Sequence, residues 1–128
     1  MPTFEQHFNL AREKLEMMEI AYREEKMSVV ADLAVKVVEQ VLQAMAARQS
    51  PPRHFAGSAA HGDLRAFARS HFPHPFNEEL AWLYRMYESL GYGGAEKERA
   101  ERIINVTYGL IQEVGKIIGV DFQKPTVQ

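Results

Sequence analysis

From Ser28 to Arg48 the chain carries Val29, Val30, Leu33, Val37, Val41, Leu42 and Met45 at helical spacing, and the charged residues inside the run are Asp32, Lys36 and Glu39. An apolar face that wide suits a helix buried on more than one side, so other elements must pack around it. The valines would also suit a strand, but the length of the run and its period near 3.6 favour a helix. Lys36 and Glu39 stand out in such a stripe. Each either snorkels to solvent or faces a groove or a partner chain.

The remaining segments read as helices too. Phe4, Phe8, Ala11, Leu15, Met18 and Tyr22 recur at gaps of four and three, and Thr3 with Gln6 forms a capping-box pattern ahead of them. Ser50-Pro51-Pro52 stops the second helix, because proline disfavours the helical conformation in the residue before it. Residues 51–75 are the irregular part, with one short helix expected over Asp63–Ser70. Asn77, followed by Glu78 and Glu79, reads as the cap of a helix with the stripe Leu80, Leu83, Tyr84, Tyr87 and Leu90. Gly91, Gly93 and Gly94 break it, and Ala95 opens a last helix with Ile103, Val106, Leu110, Val114 and Ile117 on one side. Gly119 ends that helix.

The long segments hold about 17–24 residues, roughly 25–36 Å at the helical rise. The expected fold is all-α: an up-down antiparallel helical bundle of four long helices plus one short helix capping its open end. At 128 residues one domain is expected, over residues 1–120, with 121–128 as a C-terminal tail.

Composition removes several function classes. With no cysteine there is no disulfide framework, thiolate metal site or cysteine nucleophile. The 15 basic and 17 acidic residues are mixed, which argues against a broad basic face for nucleic acid but leaves a local basic cleft open. Met1-Pro-Thr-Phe-Glu-Gln-His lacks the pattern of a secretory signal, and no apolar run approaches the ~18–20 residues of a membrane span. A soluble, cytoplasmic protein without a membrane partner is expected.

The residues supply little conventional chemistry. His71 and His74 lie three apart with His54 and His61 nearby, but the prolines between and beside them prevent a shared helical face, and a metal needs three converging ligands. No inward Glu-x-x-His pair and no glycine-rich phosphate loop after a strand is present, and Ser58 lacks the strand-turn-helix setting of a hydrolase nucleophile. No cofactor is expected. Met17, Met18, Met27, Met45 and Met86 read as core filler, and Glu13, Glu16, Glu19, Glu24 and Glu25 as a solvated face with i,i+4 partners.

One segment carries more. Arg85-Met-Tyr-Glu-Ser-Leu-Gly-Tyr92 closes a helix just before a glycine break, at the mouth of a helical hairpin. Together with Ala34-Val-Lys-Val-Val-Glu39, with His61-Gly-Asp-Leu64 and with the closing helix Glu96–Ile118, it resembles the HEPN superfamily, small all-α domains often paired with minimal nucleotidyltransferases. The likeness spans residues 5–118 through short motifs, and Arg85 to Tyr92 matches a signature of Arg, four residues, His, one residue, Tyr. In nuclease members of that family, Arg and His from two subunits cleave RNA without a metal. Here the His position is Leu90, which neither accepts nor donates a proton.

The resemblance therefore implies a non-catalytic, homodimeric binding module. It would engage a nucleotidyltransferase partner, a nucleotide or RNA near Arg85, with Tyr92 and His61 as further binding residues. In some systems of this family the partner modifies the signature Tyr, which would make Tyr92 the acceptor. Two alternatives stand beside it: a weak or conditional metal-independent endoribonuclease of toxin type, with His61 or His74 replacing the missing base, and a helical assembly protein outside the family. In the last case Arg85 serves the helix dipole and Tyr92 packs the hairpin end.

Overall fold

The computed structural model describes residues 1–89 and 96–124, and every regular element among them is a helix. These are α1 (Phe4–Arg23), α2 (Met27–Ala47), α3 (Ala60–His71), α4 (His74–Ser89) and α5 (Glu96–Ile118). The glycine break, with Leu90 and Tyr92, lies outside the described residues.

The molecule is an all-α bundle built around α2, which touches each of the other four helices. That explains its apolar width: Val30, Val37, Val38, Val41, Leu42 and Ala44 are fully buried on different sides of one helix. Helix α1 packs along α2, to which it is joined by the short turn Glu24–Lys26. Glu25 takes a left-handed φ of 60° there, and the Lys26 N–H closes the turn on the Ala21 carbonyl at 2.8 Å. The Thr3–Gln6 capping box forms as expected, with both reciprocal bonds present. Arg48 ties three helix ends together. Its guanidinium lies 3.4 Å from the centre of the Phe4 ring and donates to the Ile118 carbonyl at 2.6 Å.

Several boundaries differ from the sequence reading. Helix α3 is longer than Asp63–Ser70, beginning at Ala60 and taking in His61. Helix α4 starts at His74, so Asn77 is not its N-cap; the Asn77 amide instead donates to the carbonyls of Phe72 and Pro73, both at 3.1 Å. Pro75 causes this. It lies in the first turn, where its missing N–H costs nothing and its fixed φ favours the helix. Met17 is a surface residue at 48% exposure, whereas its neighbour Met18 is fully buried. Phe122, inside the expected tail, is buried at 6% exposure and packs on Phe8 with ring centres 5.9 Å apart.

Among the described residues no helix is long and apolar enough to cross a membrane.

Candidate functional site

Glu39 is the polar exception in the core of α2, with only 9% of its surface exposed. A buried carboxylate is costly unless donors meet it. Two do, from two other helices. The Tyr84 hydroxyl of α4 donates to Glu39 Oε2 at 2.6 Å, and His61 of α3 donates to the same oxygen through Nδ1. Glu39 therefore does not snorkel to solvent: it is a joint between α2, α3 and α4. Lys36 does reach solvent, where it pairs with Asp32 at 3.1 Å.

Burial and the Glu39 carboxylate push the Tyr84 hydroxyl above its ordinary range, so it stays protonated and remains a donor. The His61 ring meets Tyr84 edge-on with centres 6.0 Å apart. The His61 side chain is nonetheless 67% exposed, so with Nδ1 committed to Glu39 its outer nitrogen Nε2 faces water.

The clamp fixes what α4 shows to solvent. With Tyr84 turned inward, Arg85 falls about 100° further round the helix and is exposed. At 3.6 residues per turn, Arg85 shares a stripe with His74, Asn77, Glu78 and Ala81, one turn beyond Ala81. That stripe borders a cleft between α3 and α4 of about 240 Å³, whose α3 wall is made by Arg65 and Arg69. Arg65 also lies over the Tyr84 ring at 5.1 Å from its centre. His74 and Glu78 within the cleft pair with each other at 2.8 Å, and Glu88 follows Arg85 along the stripe. Among the described residues, no ion pair engages Arg65, Arg69 or Arg85.

Of the residues singled out by sequence, His61 and Arg85 thus flank Tyr84 on adjoining helices, while Tyr92 lies outside the described residues. The sequence reading missed Tyr84, Arg65 and Arg69. Tyr84 was legible only as one more member of an apolar stripe, and its hydroxyl acquires meaning only opposite Glu39.

The remaining histidines are dispersed. His71 contacts the Phe67 carbonyl through Nδ1 at 2.8 Å, and His54 stacks on His7 of α1 with ring centres 5.2 Å apart. No group of three or more His, Cys, Asp or Glu among the described residues is placed to hold a metal ion.

No family model matches this chain, and no curated protein or solved structure matches it.

Proposed function

We propose that this protein is a non-catalytic binding module of HEPN type that takes the phosphate backbone of single-stranded RNA, or a nucleotide, along the α3–α4 cleft. The observation that carries the reading is that Arg65 and Arg69 line one cleft, with the exposed Arg85 one turn beyond Ala81 on its α4 wall, and that none of the three has an ion-pair partner among the described residues. Guanidiniums suit this task, because their planar fork matches phosphate oxygens and stacks on bases. Leu90, in the place of the family's general base, makes the module a binder rather than a nuclease. A homodimer would bring two such clefts together, and a nucleotidyltransferase partner would use the same end of the bundle.

Light scattering on the purified protein, with and without a short single-stranded RNA, tests this. The expected result is a dimer whose mass rises with RNA and no longer rises in Arg85→Ala. A monomer indifferent to RNA would remove the proposal.

One observation favours the alternative of a metal-independent endoribonuclease. Glu39 holds His61 by Nδ1 and leaves Nε2 outward, the arrangement in which a carboxylate orients an imidazole for proton transfer. Cleavage of the same RNA in excess EDTA, abolished in His61→Ala, would establish that reading. RNA left intact over long incubation would exclude it.

A further inference from the structure

A second concavity, of about 700 Å³, lies between the outer face of α1 and the segment after α5. None of its walls belongs to the α3–α4 cleft, so a ligand held here is independent of RNA binding there. Its floor is apolar and aromatic, made by Phe8, Leu15 and Phe122. Its rim is acidic. Glu13, Glu16, Glu19 and Asp121 face a single guanidinium, that of Arg12, which already lies over the Phe8 ring at 5.8 Å. The chain's own arginine thus places a cation against this aromatic wall.

The deepest carboxylate is incompletely satisfied. Glu19 Oε1 is shielded from solvent and accepts no hydrogen bond among the described residues. Tyr108, a residue 3% exposed, stands beside this carboxylate. Burial, the Glu19 charge and the Glu19 carboxylate's nearness as a hydrogen-bond acceptor push the Tyr108 hydroxyl up, so it stays neutral and leaves the carboxylate its full negative charge. A partly buried carboxylate met by a neutral hydroxyl keeps a charge that a cation in the adjoining groove offsets.

We propose that this groove docks a segment of a partner protein in which arginine or lysine side chains alternate with apolar ones, one cation seating on Glu19. Charge complementarity and spacing both favour a segment over a lone cation. Glu13, Glu16 and Glu19 recur every three residues, about 4.5 Å apart along the axis and each turned about 60° from the last, so they spread carboxylates across the α1 wall beside an apolar floor.

The test is a calorimetric titration of the full chain with an amphipathic arginine–leucine peptide, its glutamate–leucine counterpart and free spermidine. Amide NMR shifts locate any binding. The expected result is binding by the arginine peptide alone, with shifts at Phe8, Tyr108 and Phe122. Glu19→Gln should weaken it by about tenfold or more, since a hydrogen bond to a charged group is lost. Should that variant melt early, Asp121→Asn reads the same charge from an exposed position. Equal binding by the variants, equal binding by spermidine, shifts confined to other surfaces, or no binding would each overturn the proposal.

Discussion

Tyr84→Phe removes one oxygen and leaves the ring in place, which isolates the bond between α4 and the buried carboxylate of α2. The donor meets Glu39 Oε2 at 2.6 Å, within the range of a charge-assisted hydrogen bond. Such bonds contribute about 1.5–3 kcal/mol, and Glu39 would keep only His61 as partner. Unfolding entropy near 2.1 cal/mol/K per residue gives about 0.27 kcal/mol/K for 128 residues. The melting temperature should therefore fall by about 6–11 °C. Calorimetric melts of Tyr84→Phe, Glu39→Gln and the double variant form a cycle, and residues in direct contact should couple by about 0.5–3 kcal/mol. A drop below about 1 °C in Tyr84→Phe, or strictly additive losses, would refute the claim that Glu39 is the joint of three helices.

Gly115→Ala should destabilise by about 1–3 kcal/mol, because the added Cβ would stand 2.4 Å from the backbone oxygen of Val120, which has no flexible side chain to yield. A melt at least about 4 °C below wild type checks it, and an unchanged melt contradicts the close crossing at the end of α5. His54 is held below its ordinary value of 6.5, by burial first and then by the charges of His7 and the N-terminus. The folded chain binds fewer protons there than the unfolded one, so this contribution to stability is complete above about pH 6.5 and is lost as pH falls through the lower folded-state value. Melts between pH 8 and pH 5 should fall less steeply in His54→Gln than in wild type; identical slopes would refute it.

The helices themselves were legible because their signal is local. The stripe from Phe4 to Tyr22 and the Thr3–Gln6 box each need only neighbouring residues, and both appear as read. The start of α4 was not legible in the same way. Asn77 with Glu78 and Glu79 has the pattern of a cap, yet Pro75 extends the helix one turn further back. The site was half legible. Glu39 announced itself as a charge in an apolar stripe, but its donors lie 22 and 45 residues away, on helices whose relative register no local pattern specifies. The α1–α5 groove left no trace at all. Glu13, Glu16 and Glu19 have the spacing of an ordinary solvated face, and Phe122 sits in a segment without periodicity.

The most direct test of the cleft is fluorescence anisotropy of a labelled single-stranded RNA over a range of salt concentrations, for wild type and Arg85→Ala. Each phosphate contact contributes about −0.7 to the slope of log K against log salt for a single strand. The expected result is weaker binding by Arg85→Ala, a slope shallower by about 0.7, and a melting temperature within about 2 °C of wild type, since an exposed side chain carries little stability. Unchanged affinity and slope would contradict the placement of phosphate at Arg85. Loss of folding instead would make Arg85 a structural residue.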